Sequence, residues 1–361
     1  MDMNKKILIA DASSFDRSVM LNALKNTYPV LESNNGLKAL ELFTEEAEHI
    51  KLAVIDITLP YLDGFQLLKQ IKRMENTETI PIILTSAEAV KQDILDAFRY
   101  GAADFVVKPF EADFFRQRVL SLLSTSSSLP GQALSRLVSD NAVSLDDIIE
   151  YDKSLNRTFR NLFSYRRIET PYHIKRVSLF TGVLLRALSE HTSSGIHLNE
   201  PQIQLIIRAA AYHDIGKIAI PDLILKNRDR LTEEQRLIYH AHTTKGAELL
   251  QINNNPALHS FVQLAVNIAQ NHHEKWDGSG YPGGLRGNRI PLSAQVVGFA
   301  ADFDKYSRKL YGFTDSPFEE SIKKMLQFQH TYNPMLIRAL AYSEWSINEI
   351  IDKYPEKKSK K

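Results

Sequence analysis

No cysteine occurs in the 361 residues, which excludes disulfide frameworks, thiolate metal sites and cysteine nucleophiles together. Any metal must therefore be held by histidine and carboxylate. Net charge is almost as scarce, because 44 lysines and arginines face 43 aspartates and glutamates, so no overall field draws in nucleic acid or an anionic membrane surface. A small anion held locally stays within reach of such a chain. Long apolar runs are missing as well. Before Asp11 the chain offers only ILIA, too short for the core of a signal peptide, and nothing elsewhere approaches the roughly 18 residues of a membrane span. The expectation is a cytoplasmic protein with neither nucleic acid nor membrane as a partner.

What is present is a 43% hydrophobic content, enough for more than one core, since single cores stop growing beyond roughly 250 to 300 residues. From Lys5 to Leu123 short apolar runs (KKILIA, KLAVIDI, IPIILTSA, ADFVVK) alternate with segments of helical periodicity (SFDRSVMLNALKN, GLKALELFTEEA, GFQLLKQIKRM, AVKQDILDAFRYG). That order predicts a doubly wound α/β parallel sheet over residues 1–123, with Gly101 as a helix C-terminal cap. STSSSLPGQ has linker composition, and residues 124–150 are read as a linker with a helical segment, ALSRLVSDN. Beyond it the spacing turns helical throughout, which predicts an all-α domain over 151–354. Residues 355–361 (PEKKSKK) read as a disordered basic tail.

In the first half polar residues close the strands: Asp11, Asp56, Thr85 and Lys108. Open parallel sheets gather their reactive groups at that edge. One aspartate facing a second carboxylate, a hydroxyl and a lysine can bind Mg²⁺ and accept a phosphoryl group, although strand-end acids also serve as helix caps. Taken with the segment DITLPYLDG, with ILTSA and with Lys108-Pro109, these residues resemble the response-regulator receiver family over residues 5–123. The resemblance implies Asp56 as phosphoacceptor, Phe105 as the aromatic switch residue, Mg²⁺ held by Asp11, Asp56 and a carbonyl near Thr58, and a sensor histidine kinase as partner. One departure stands out. The family has two adjacent acids after its first strand, whereas Ala12 follows Asp11 here, so a weaker metal site is expected.

In the second half the histidines cluster. YHDIGK places His213 and Asp214 at the end of an apolar helix, where burying both without a partner costs several kcal/mol. A divalent cation removes that cost, and a carboxylate can bridge two. His242, His272 and His273 supply further imidazoles near helix ends, while His240, two residues before His242, is read as facing away on the surface. Thr170 as N-cap and Pro171 at the first helical position leave Glu169 just outside the helix that carries His173. These residues, with HHEKWDGSGYPGGLRGNRIPLSA from His272, resemble the HD-GYP family of the HD phosphohydrolase superfamily over Asp152 to Tyr311.

That resemblance implies a centre of two or three divalent transition ions, iron or manganese, with nickel and zinc suiting the same ligands. It also implies hydrolysis of cyclic di-GMP. Glu169 and His173 match the element associated with a third metal. Gly280, Tyr281 and Pro282 form the triplet that names the family, and Tyr281 and Trp276 offer faces for a guanine base. Lys217, four residues beyond His213, is expected to stabilise charge on the phosphoryl group alongside Asp214. The glycine-rich loop from Gly278 to Gly287 lets backbone approach a ligand closely and equally suits a contact surface for a diguanylate cyclase (GGDEF) or another signalling protein, and a homodimer is a further expectation. Two departures qualify this. The last metal-binding aspartate falls at Ala301, with Asp302 as nearest replacement, and the basic triplet downstream is missing, with Arg308 and Lys309 as substitutes. An enzyme and a catalytically degenerate nucleotide sensor or interaction module therefore both stay open.

Overall fold

The computed structural model describes residues 5–123 and 145–355, leaving aside 26, 75–76, 78, 89, 167, 191–195, 228–229, 252–257 and 311–316. The helical segment ALSRLVSDN, most of the expected linker and the end of the basic tail lie outside the described residues. The chain divides into two units, Met1–Ser127 and Ser128–Lys361.

The first unit is a five-stranded parallel sheet in the order β2-β1-β3-β4-β5. Its strands are β1 (Lys6–Ala10), β2 (Val30–Ser33), β3 (Ile50–Asp56), β4 (Ile82–Ser86) and β5 (Asp104–Val107). Helices α1 (Ser14–Leu24), α2 (Gly36–Glu46), α3 (Gly64–Ile71), α4 (Lys91–Arg99) and α5 (Ala112–Leu123) alternate with them. The apolar runs match the four expected strands because strands covered on both faces are apolar almost throughout. The fifth, β2, was not anticipated. It is an edge strand of four residues with Glu32 exposed, too short and too polar to announce itself. Ile7, Ile9, Leu52, Val54, Ile83 and Val106 pack with Met20, Leu24, Phe115 and Val119 from α1 and α5. Gly101 follows α4 at φ +97°, the left-handed cap that glycine provides without a Cβ penalty.

The second unit is helical, with no strand among its described residues. It contains α6 (Leu145–Arg166), α7 (Pro171–Glu190), α8 (Glu200–Ala210), α9 (Asp222–Lys226), α10 (Glu233–His240), α11 (His242–Gln251), α12 (His259–Asn271), α13 (Leu292–Leu310), α14 (Pro317–Leu326), α15 (Pro334–Tyr342) and α16 (Glu344–Lys353), with a 3₁₀ turn at Ile215–Ala219. Its first described helix starts at Leu145, six residues before the expected domain start at 151. No helix among the described residues is long and apolar enough to cross a membrane.

Candidate functional site

In the second unit five imidazoles and one shared carboxylate come together. Ligand atoms of Asp214, His242, His272 and His273 lie within 4.8 Å of one another, as do those of His173, His213 and Asp214. Asp214 belongs to both groups. Each histidine arrives from a helix end, and the local backbone explains the convergence. After α8 the chain passes through turns at Tyr212 to Asp214 into the 3₁₀ segment, which packs so tightly on α11 that a Cβ at Gly216 would sit 1.9 Å from the His242 carbonyl oxygen. Only glycine permits that approach.

The hydrogen bonds fix the tautomers. His213 Nδ1 meets the Ala210 carbonyl at 2.9 Å, His242 Nδ1 the Tyr239 carbonyl at 2.7 Å, and His272 Nδ1 the Ala269 carbonyl at 3.0 Å. A carbonyl only accepts, so each Nδ1 carries the proton and each Nε2 presents a lone pair. Those three Nε2 atoms and Asp214 Oδ1 are buried and have no hydrogen-bond partner. His213 Nε2 lies 3.2 Å from Asp214 Oδ2, and His242 and His272 Nε2 lie 3.4 and 3.6 Å from Asp214 Oδ1. Acceptors facing one another at such distances repel unless a cation stands between them, so the donor set fits divalent metal.

Ionisation points the same way. Burial holds His242 down to about 3, with His272 and Lys217 adding to it. Burial likewise pushes His272 and His273 below the ordinary imidazole value. Neutral imidazole is the ligand form, and these rings reach neutral pH already deprotonated. Burial lowers His213 too, but the adjacent Asp214 outweighs it and moves that ring upward.

Glu169, buried, joins neither group. Its Oε1 accepts from Lys217 Nζ at 2.9 Å, and the same ammonium donates to Asp214 Oδ2 at 2.6 Å. Burial alone would raise Glu169, yet Lys217 and His173 hold it below the usual carboxylate range. Lys217 does not stand one α-helical turn beyond His213 as expected. The 3₁₀ geometry brings residues three apart into register and sets it on Asp214 instead. Thr170 caps α7 through a 3.1 Å bond from the His173 amide.

Asp304 was missed by the sequence reading. Its Oδ2 accepts a hydrogen bond from His173 Nδ1 at 2.6 Å and its other oxygen accepts from Arg176 Nε, orienting the imidazole as outer-shell carboxylates do for metal ligands. Asp302 is elsewhere: its Oδ2 accepts from Lys275 Nζ at 2.6 Å and from the Tyr332 hydroxyl at 3.1 Å. Helix α13 is regular from Leu292 to Leu310, so Asp302 stays roughly 100° around the axis from Ala301. Residues 301, 304 and 308 share a face, and Arg308 Nη1 lies 3.6 Å from Glu169 Oε2. The side chain of Lys309 is outside the described atoms.

Two further expectations change. His240 is half-buried rather than on the surface, and its ring stacks on Tyr281 at 3.7 Å and 9°. The reason is that α10 ends at His240 and α11 begins at His242, so the two are not successive positions of one helix. Tyr281 also stacks on His273 at 4.8 Å. Tyr281, half-buried, thus packs its ring against two imidazoles, and Trp276 is only 6% exposed, so both rings are engaged within the protein. The loop bearing them is anchored by Glu274, whose carboxylate accepts from the Gly283 and Leu285 amides at 2.6 and 2.8 Å. A Cβ at Gly280 would fall 2.4 Å from the His273 carbonyl oxygen, and the Tyr281-Pro282 peptide is cis. Because a ring stack contributes about 0.5 to 1.5 kcal/mol, His240→Ala is expected to raise amide exchange in residues 278–287 about three- to tenfold. His240→Phe should retain wild-type protection; hydrogen-exchange mass spectrometry reads both.

In the first unit the strand ends deliver their residues to one edge. Asp56 pairs directly with Thr85 in the β3–β4 register. Lys108 Nζ binds Asp11 Oδ2 at 2.6 Å and also Asp56 Oδ2. Burial would lower the ammonium, but its two carboxylates hold it above the ordinary lysine value. Asp56 Oδ1 accepts from the Thr58 amide at 2.6 Å, Phe105 is buried, and Thr85 Oγ1 is buried without a hydrogen-bond partner.

An all-helical unit that gathers five imidazoles, four of them buried, around one shared aspartate defines a metal-dependent phosphohydrolase of the histidine–aspartate type. Residues 154–336 match the HD domain family and residues 7–120 the response regulator receiver domain, so the chain belongs to the HD domain family and is a response regulator with that domain behind its receiver. It is 30% identical to the "Probable cyclic di-GMP phosphodiesterase" of Vibrio cholerae, over 98% of this chain and 81% of that protein. To the "Cyclic di-GMP phosphodiesterase" of Thermotoga maritima it is 32% identical, over 95% and 92%. The "Cyclic di-GMP phosphodiesterase response regulator RpfG" of Xanthomonas campestris is also 32% identical, over 84% and 78%.

Proposed function

We propose that the chain is a receiver-controlled, metal-dependent phosphodiesterase that hydrolyses cyclic di-GMP to linear pGpG, to GMP, or to both. The observation that carries this is Asp214, whose carboxylate is common to two ligand groups and so suits a bridge between two cations. Iron or manganese best fits the reading, with nickel and zinc compatible with the same donors. Glu169, outside both ligand groups but beside them, is the residue left for a third ion, with His173 shared out to whichever of the two neighbouring ions it meets. Such ions, when bound, supply an activated water and Lewis-acid stabilisation of phosphoryl oxygens.

The chain's own residues provide the rest. Asp304 keeps the proton of His173 on Nδ1, so that Nε2 faces inward. Lys217 holds Asp214 and Glu169 in fixed positions and sets a permanent positive charge beside the place where phosphoryl charge develops. Arg308, beside Glu169, is the arginine positioned to meet a second phosphate. Tyr281, half-buried against His240 and His273, and the buried Trp276 frame the guanine-side loop, with Gly280 and Pro282 shaping it. Upstream, a sensor histidine kinase would phosphorylate Asp56 with Mg²⁺ at the receiver edge. A diguanylate cyclase docking on the loop, and a homodimer, complete the set of partners.

A second reading, a nucleotide sensor without turnover, is favoured by Ala301 and by the diversion of Asp302 to Lys275 and Tyr332. Metal analysis of the full chain purified with iron or manganese, together with chromatography of cyclic di-GMP incubations, separates them. Two or more ions with pGpG or GMP formed are the expected result. Two ions with nucleotide bound and intact establish the sensor, and fewer than two ions overturn the enzyme.

A further inference from the structure

The receiver lacks the second acid that its family places after β1, yet the edge is not short of carboxylate. Lys108 Nζ has a third anionic neighbour, Asp16 Oδ2, at 3.1 Å, in addition to Asp11 and Asp56. Asp16 lies in the first turn of α1, held there by the bond from its amide to the capping Ser13 hydroxyl at 3.2 Å. Three carboxylates around one ammonium leave two negative charges over. The remaining oxygens of Asp11 and Asp56 are each engaged by a backbone amide, Ser13 at 2.8 Å and Thr58 at 2.6 Å. A separate observation marks this edge as a ligand site. Thr85, fully buried beside Asp56, has a hydroxyl without a hydrogen-bond partner, which an oxygen of a group carried on Asp56 would satisfy.

We propose that Asp16, four residues beyond Ala12, supplies the missing acid of the receiver's magnesium site and acts through the ion's bound water. Mg²⁺ keeps several waters and takes only one or two carboxylates directly. That suits this edge, because an oxygen of each of the three carboxylates is already engaged by Lys108, and a hydrated ion needs no closed cage of direct ligands. Residue 12 is thus relieved of its charge, and the weaker site expected from Ala12 alone is compensated from the helix. A plain helix-dipole role for Asp16 predicts something different: it would be indifferent to Mg²⁺ and could not be replaced by an acid at position 12.

The proposal rests on reading Asp56 as the phosphoacceptor, and the test separates the two. In the full-length chain the beryllofluoride adduct of Asp56 is followed by ¹⁹F NMR as Mg²⁺ is titrated. Asp16→Asn is expected to raise the half-saturating Mg²⁺ concentration roughly tenfold or more, and Ala12→Asp added to Asp16→Asn to restore it. An unchanged Mg²⁺ dependence in Asp16→Asn, or no restoration in the double variant, overturns the proposal. If the wild-type chain forms no adduct, it is the acceptor reading that fails. Calorimetric titration of Mg²⁺ into wild type and Asp16→Asn then decides, a weaker affinity in the variant supporting Asp16 and equal affinities rejecting it.

Discussion

Asp214→Asn is expected to give a folded chain that retains fewer than two transition ions and turns over cyclic di-GMP at least about a thousandfold more slowly. The argument runs through its two oxygens. Oδ1 faces His242 and His272 while Oδ2 faces His213 and Lys217, so one side chain serves both ligand groups. An asparagine has nearly the same shape but only one acceptor oxygen, and its amide NH₂ can donate to an imidazole lone pair. In the metal-free protein the substitution relieves acceptor repulsion at the imidazoles but breaks the buried ion pair with Lys217, which keeps only Glu169, so the melting temperature should fall. In the loaded protein it removes the bridge. Metal counting by inductively coupled plasma mass spectrometry, a melting curve and nucleotide chromatography read the three effects. A variant that keeps two ions and near-wild-type turnover would sink the shared-aspartate reading.

Much of this centre was legible in the sequence, for physical reasons. Adjacent His213 and Asp214 at the end of an apolar helix are too costly to bury unpaired, and the His272-His273 pair at the end of another supplies further imidazoles, so their types and positions pointed to a cation. The residues that organise them were not legible. Asp304 acts from the same helical face as Ala301, a relation visible only once α13 is known to be regular, while attention to the gap at 301 pointed to Asp302. His240 was misplaced because spacing by two has its usual meaning only within one element, and a helix break falls between it and His242. Tyr281 and Trp276 offer ring faces in the sequence, but the burial of Trp276 and the packing of Tyr281 on His240 and His273 are tertiary facts that no local pattern encodes. In the receiver the strands were legible wherever they are covered on both sides. Edge strand β2 was not, nor was Asp16, whose contact with Lys108 spans nearly the whole unit.

Lys217→Met is expected to destabilise the metal-free protein far more than the loaded one. Lys217 is buried, with 5% of the residue's surface exposed, and its ammonium is the cation shared by Asp214 and Glu169. Removing it leaves two buried carboxylates without that partner, a change that costs about 3 to 5 kcal/mol in comparable buried pairs. The pH dependence follows from the directions of the shifts. Burial opposes the charge on all three groups, yet Lys217 is raised while Glu169 and Asp214 are lowered by their mutual attraction. The carboxylate contribution is thus present above their ordinary values and is lost as pH falls through the depressed ones, whereas that of the lysine persists through neutrality. In the variant the carboxylates revert to what burial dictates and take up protons more readily. The gap between wild type and variant should therefore be widest near about pH 7.5 and narrow towards about pH 4, where carboxylates of ordinary pKa are half protonated. Divalent ions bring the positive charge back, so manganese should raise the variant's melting temperature by more than it raises that of wild type. Turnover should nonetheless stay about a hundred- to a thousandfold low, because the ions replace the lysine's electrostatic support of its neighbours but not its position beside the phosphoryl group. Equal melting shifts in metal-free and loaded protein, at both ends of the pH range, would mean that Lys217 fills space there and does not balance charge.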